Sequence, residues 1–402
     1  IIILEVRILK SVALFTEEID DLERAVAELQ KQCQGFDFQQ HSAGLLFAHP
    51  DTDLEELTSL LTEAFAIPII GVTASFIFTM KGVKREGISL HFFTADDCRF
   101  AVESTGELEP AHVKEAMGQV YHNLVNQLGE KPKLLLTYGN PSTDMVGDDF
   151  VDTLDTLSEG VPVYGAMASD DFAMEDCCFV CNGQVFKYGA AVIAISGNIK
   201  PVMSSGFHVD TAIDYEGIVT RAEGNQVMEL DGVPFVEALT KAGMVFNFDN
   251  AQDYINTPFK ISFATEAGEE IQCLRHLFHV DKESGIAKFF GKIPVGAKLQ
   301  VGILDVEGIH DSVAKVVHDC LEAVAKNNPQ SYHTLMVTSC ASRLMSYANA
   351  IHDESLAYVD MIPEGMEMSG LYAYGEVCPI KTKNSGKERN AFHNTTFSLL
   401  VM

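Results

Sequence analysis

A thiol, a guanidinium, a carboxyl and an imidazole stand near the C-terminus at Cys340, Arg343, Glu376 and His393. Cys340 sits in Ser339-Cys340-Ala341-Ser342, directly after the apolar run 335–338. If a strand hands over to a helix there, backbone N–H groups and the helix terminus would lower the thiol pKa. Arg343 would add positive potential. The plainer alternative is a small buried cysteine packed under a helix. Glu376 closes the apolar stretch Leu371-Tyr372-Ala373-Tyr374-Gly375-Glu376. An unpaired carboxylate is costly there, and the guanidinium of Arg343 has the two-pronged shape to pair with it. A solvent-facing strand end would remove that cost. His393, Asn394 and Thr396 open the last apolar run, where they could hold a ligand or tie down a terminal strand. With Cys340 as nucleophile and His393 as base, the same residues would make a thiol enzyme.

Other candidates are more isolated. Asp170-Asp171 follows a strand containing Gly165 and could bind a metal or an amine, or cap a turn. His208, in Gly206-Phe207-His208-Val209, has the apolar neighbours of a haem wall, or of a strand histidine with a structural role. Cys178 and Cys181 have the spacing of half a metal site, but no second pair matches them, and Asn182-Gly183 reads as a hairpin turn. The phosphate-binding, zinc-protease, nucleophile-elbow and dinucleotide-binding signatures are absent from the sequence.

The elements that must position these groups repeat three times: amphipathic helix, apolar strand, polar corner, second helix, Gly-containing strand, antiparallel strand. The first copy runs through helix 20–32, strand 44–48, corner His49-Pro50-Asp51, helix 54–65 and strands 69–72 and 88–93. The second takes helix 111–128, strand 133–137, a corner at Asn140, helix 149–157 and strands 163–166 and 190–195. The third takes helix 306–326, strand 335–338, the Cys340 corner and strands 371–376 and 396–401. Ligands of open α/β sheets sit beyond the carboxyl ends of the strands, so His49, Asn140 and Cys340 mark the corners to watch. The pattern predicts mixed sheets covered by helices, an α/β or α+β fold. Residues 200–304 depart from it, being rich in strands and Gly turns with one helix at 235–242. A boundary near 211–217 would give domains 1–212 and 213–402.

The chain of 402 residues suits two domains or one built from repeats. Its 28 basic and 57 acidic residues give a charge of −29, which repels phosphate backbones and anionic lipids. Neither nucleic acid nor a membrane surface is therefore an expected partner. No apolar run approaches the roughly 20 residues that span a bilayer. Glu5, Arg7 and Lys10 break any signal-peptide core. Nine scattered cysteines suit the reduced thiols of a cytoplasmic protein.

Longer patterns resemble a known family. Ser339-Cys340-x-x-Arg343, then Gly370-Leu371-Tyr372-x-Tyr374-Gly375-Glu376-Val377-x-Pro379, then Phe392-His393-Asn394-x-Thr396 resembles the C-terminal half of FIST domains. Thr220-x-x-Glu223-Gly224-Asn225-x-Val227-x-Glu229-Leu230-Asp231-Gly232-x-Pro234 resembles the segment where the two FIST halves join. Pro162-x-x-Gly165-x-x-Ala168-x-Asp170-Asp171 resembles the N-terminal half, although Phe172 follows the aspartates directly. The resemblance implies a sensory module of bacterial signal transduction that binds a small ligand such as an amino acid. It implies a pocket made by Cys340, Arg343, Tyr374, Gly375, Glu376, His393, Asn394 and Thr396, with Asp170 and Asp171. Some stand-alone members are haem proteins that sense nitric oxide and regulate a histidine kinase. On that pattern haem b would be the cofactor, His208 or His393 its ligand, and a separate kinase or a second copy of the chain the partner.

Overall fold

The computed structural model describes residues 9–142, 144–250, 257–265, 268–327, 332–347 and 353–402. The first stretch runs β1 (Lys10–Thr16), α1 (Leu22–Gln32), β2 (His41–Ala48), α2 (Leu54–Phe65), β3 (Ile69–Thr73), β4 (Ile77–Thr79), β5 (Gly82–Lys84) and β6 (Ile88–Ala95). Its helices follow from local chemistry. Asp21 and Asp53 accept from the backbone N–H groups of Arg24 and Glu56, capping α1 and α2. Leu22, Ala25, Val26 and Leu29 make the buried stripe of α1.

The second stretch runs β7 (Cys98–Ser104), α3 (Val113–Leu128), β8 (Leu134–Asn140), α4 (Gly147–Ser158), β9 (Val163–Met167), β10 (Phe179–Cys181), β11 (Gln184–Phe186) and β12 (Gly189–Gly197). The third opens on β13 (Val202–Gly206) and is then interrupted. The interruption comprises β14 (Asp210–Glu223), β15 (Gln226–Leu230), β16 (Val233–Pro234), α5 (Phe235–Ala242), β17 (Pro258–Ala264), β18 (Glu270–Val280), β19 (Ala287–Phe289) and β20 (Lys298–Ile303). The third stretch then resumes with α6 (Val306–Asn327), β21 (Thr334–Cys340), α7 (Ala341–Ser346) and α8 (Asp353–Leu356). It ends with β22 (Glu367–Ala373), β23 (Glu376–Lys381), β24 (Glu388–His393) and β25 (Phe397–Val401).

Three six-stranded sheets result, ordered β1-β6-β2-β3-β10-β11, β7-β12-β8-β9-β23-β24 and β13-β25-β21-β22-β4-β5. Each has a central parallel pair, β2 with β3, β8 with β9, β21 with β22. Each parallel pair is followed by a hairpin that leaves for another sheet. The hairpin β4–β5 joins the third sheet, β10–β11 the first and β23–β24 the second. The opening strands β1, β7 and β13 and the short hairpins β4–β5 and β23–β24 are not predicted by the periodicity of the sequence. Only β10–β11 announces itself, through Asn182-Gly183 at the turn, with φ of 49° and 80°.

The three sheets meet in one core. Leu45 and Phe47 come from the first sheet, Leu136, Tyr138 and Tyr164 from the second, and Met336, Leu371 and Leu400 from the third. Helices cover the outer faces: α1 and α2 on the first, α3 and α4 on the second, α6 and α7 on the third. This is an α+β fold of mixed sheets.

The interruption forms its own seven-stranded antiparallel sheet, β14-β20-β17-β18-β19-β15-β16, packed on α5. Its first and last strands pair, with Asp210 opposite Ile303, so the chain leaves and re-enters at one place. Residues 211–217 lie within β14. Arg275 of β18 ties this sheet to the rest. Its buried guanidinium donates to Asp148 Oδ1 at 2.8 Å and to the Phe392 carbonyl at 3.1 Å. Asp148 accepts a further bond, at 2.9 Å, from the Lys292 backbone N–H. Removing one partner of a buried ion pair leaves an uncompensated charge. Arg275→Met should therefore cost about 3–5 kcal/mol of stability in denaturant melts.

Candidate ligand-binding site

Strand β21 ends on Cys340 and α7 begins at the next residue. The Cys340 N–H donates to the Thr396 carbonyl at 3.1 Å, and the Ser342 hydroxyl donates to Cys340 Sγ at 3.1 Å. Thr395 beside them adopts φ +60°, a left-handed conformation that costs a non-glycine residue free energy. Hairpin β23–β24 departs and returns here: Glu376 is its first residue, His393 its last, and the two are cross-strand partners.

A cavity of about 70 Å³, open to solvent, lies over this corner. Cys340, Ser342 and Asn394 form its floor, and Phe172, Met174 and Tyr374 its side. His276 and Phe290, from the inserted sheet, form its roof, and Met345 its outer lip. A second space, of about 470 Å³, adjoins it through Phe172, Met174, Phe290 and Tyr374 and reaches Asn140 and Lys187. Two of the three strand-to-helix corners thus open into one two-lobed cleft beneath the inserted sheet.

The sides of the cleft are fixed by Asp170. Its carboxylate accepts the backbone N–H groups of Met174, Glu175 and Asp176 at 2.9, 2.8 and 3.2 Å, and the Tyr374 hydroxyl as well. Burial pushes this carboxyl up, but those hydrogen bonds prevail and hold it below its ordinary range. Asp170 therefore anchors the loop that carries Phe172 and Met174, both at positive φ. Asp171 points away to the surface, 3.7 Å from Arg85.

Three expectations change. Arg343 does not pair with Glu376. It is fully buried against Glu354, with Nη2 and Nε at 2.9 and 3.0 Å from Oε1. Glu354 also accepts the hydroxyls of Ser339 and Tyr372, at 2.9 and 2.6 Å. It sits in a four-residue helical turn, Asp353–Leu356, whose short polar sequence gives no sign of burial.

The corner does not lower the Cys340 pKa either. Burial, and then the neighbouring Glu376 carboxyl, push the thiol well up. Helix α7 has six residues, and the charge of Arg343 is already neutralised by Glu354. Glu376 is itself buried, which pushes its carboxyl well above the usual range despite a 3.0 Å bond from the Thr396 N–H. Its Oε1 has no hydrogen-bond partner among the described residues.

Finally, neither candidate haem histidine faces the cleft. His393 Nε2–H donates to the Cys378 carbonyl at 2.9 Å, and burial lowers its pKa to about 4. His208 lies at the surface with Nε2 3.3 Å from Asp210 and 3.4 Å from Asp305. Neither fits the role of a haem ligand in this cavity. The histidine on the wall is His276, buried within β18 and not marked by any sequence motif. Cys178 and Cys181 belong to the β10 turn region, and all nine cysteines are free. Gly375 has a steric role: a Cβ there would lie 2.2 Å from the Phe392 ring.

Comparison with known proteins shows the family of the chain. The FIST N domain matches residues 42–233 and the FIST C domain residues 244–379. The chain belongs to the FIST family, whose domains are sensory. It is similar to uncharacterized proteins of Mycobacterium bovis and Mycobacterium tuberculosis, 24% identical over 248 residues in each case, or 60% of this chain and 60% of theirs. A chorismatase crystal structure aligns over 99% of this chain and 100% of its own, at 9% identity and a TM-score of 0.36. No helix among the described residues is long and apolar enough to cross a membrane.

Two measurements check the site chemistry. The unfolded Glu376 carboxyl releases its proton above about pH 4.5, whereas the folded one keeps it, so its contribution to stability falls as pH rises from there. Glu376→Gln should therefore gain thermal stability relative to wild type between pH 5 and pH 8. Cys340, peptide-mapped after iodoacetamide treatment at pH 7, should label more slowly in the folded protein than in urea.

Proposed function

We propose that this protein is a sensor in which a small molecule binds the cleft between the Cys340 corner and the inserted sheet. The observation that carries this is the cavity itself. It is lined mostly by apolar and aromatic side chains, has a few convergent polar groups, and lies between two packed bodies, where ligand sites are commonly found. Its walls store backbone strain at Phe172 and Met174, and Thr395, next to the floor residue Asn394, is strained too, as residues of functional sites often are. A ligand touching both floor and roof favours one placement of the inserted sheet over others. That differential contact is what a binding event needs to become a signal. The receiver would be a separate signalling protein, such as a histidine kinase, or a second copy of the chain.

The sequence contains no tryptophan, so Phe290→Trp would place a single fluorescent reporter in the roof. Metabolites that bind should shift its emission and raise the melting temperature. A hundredfold excess over Kd contributes about 2.7 kcal/mol. Met345→Trp, which fills the lip of the cavity, should abolish that thermal stabilisation. A broad metabolite panel that moves neither signal would overturn the proposal.

A further inference from the structure

We propose that the ligand of the Cys340 cavity is a small uncharged aromatic molecule whose N–H or O–H group donates to Asn394 Oδ1. This rests on the sensory reading above and narrows it to a chemical class.

No Lys, Arg, Asp or Glu is among the described residues lining this cavity. Arg343, the cation nearest in sequence, is turned away and closed off by Glu354, Ser312 and the Ile309 carbonyl. A carboxylate entering this lobe would lose its water with no lysine or arginine on its walls to replace it; Lys187 lies in the adjoining lobe and the His276 imidazole on the roof. A ligand ammonium fares no better, because the oxygens of Asp170 already accept from three backbone N–H groups and Tyr374.

Asn394 is 2% exposed, lines the cavity floor, and its Oδ1 has no hydrogen-bond partner among the described residues. A buried acceptor left unmatched destabilises the empty site, and a ligand donor relieves that cost. Phe172 and Tyr374 face the space with ring centroids 6.5 Å apart, joined by Phe290 and the thioethers of Met174 and Met345. Aromatic rings and polarizable sulfur favour a flat π-system.

The test is calorimetry on the full chain with indole, 1-methylindole, cyclohexanol, indole-3-acetate and tryptophan. Indole should bind, and 1-methylindole, which lacks the N–H, should bind about tenfold more weakly. Cyclohexanol, indole-3-acetate and tryptophan should bind more weakly still. Asn394→Leu should bring the indole to 1-methylindole ratio close to one, and Met345→Trp should remove binding of both while the fold survives by thermal melt. Tighter binding of either charged probe, or of cyclohexanol, overturns the assigned class. Equal affinity for indole and 1-methylindole in the unaltered protein overturns the Asn394 contact. Failure of indole and 1-methylindole alike overturns the inference as a whole. In each case a response of the Phe290→Trp reporter to some other metabolite leaves the sensory reading standing.

Discussion

No six-stranded sheet here is completed by the stretch of chain that begins it. Strands β3, β9 and β22 would each expose a row of unpaired N–H and C=O groups. Each is instead covered by a hairpin arriving from a different stretch. The three stretches are thus interlocked, and their inner faces share one core. The corners inherit their form from this exchange. At each, the residue that ends the first parallel strand or directly follows it meets the foot of the departing hairpin. His49 donates to the Gly87 carbonyl at 3.0 Å, Cys340 to Thr396 at 3.1 Å, and Asn140 lies opposite Gly189. The proposed ligand site is at one of these three corners, made distinct by what each stretch places there.

What distinguishes the third corner is neutrality. The ion pair of Arg343 and Glu354 is buried without residual charge facing the cleft. Such a pair adds little net stability against an apolar replacement, but it fixes the geometry around it. Here it holds Ser339 and Tyr372, the residues on either side of the strand pair leading to the site. The floor presents a thiol, a hydroxyl and an amide to the cleft.

Much of this was legible in the sequence. Apolar runs with helical or strand period located the parallel pairs, and the step from strand to helix located His49, Asn140 and Cys340. Two things were not legible. Strands of three residues, such as β4 and β5, carry too few positions for a period to show, and so the exchange was invisible. Partners brought together across it could not be inferred by proximity in sequence. Arg343 found Glu354 from a short polar turn rather than Glu376. His276 reached the cavity from a strand more than sixty residues away, through a sheet whose relation to the corner no local signal encodes.

The inserted sheet has its two ends side by side, Asp210 against Ile303. A segment attached in this way can be lengthened, replaced or lost in a single genetic event without rethreading the rest of the chain. The interlocked core has no such freedom, because altering one stretch disturbs two sheets. Variation across descendants of this architecture should therefore accumulate in the roof over a nearly constant floor. Such a lineage can change what it recognises while keeping the machinery that recognition acts upon.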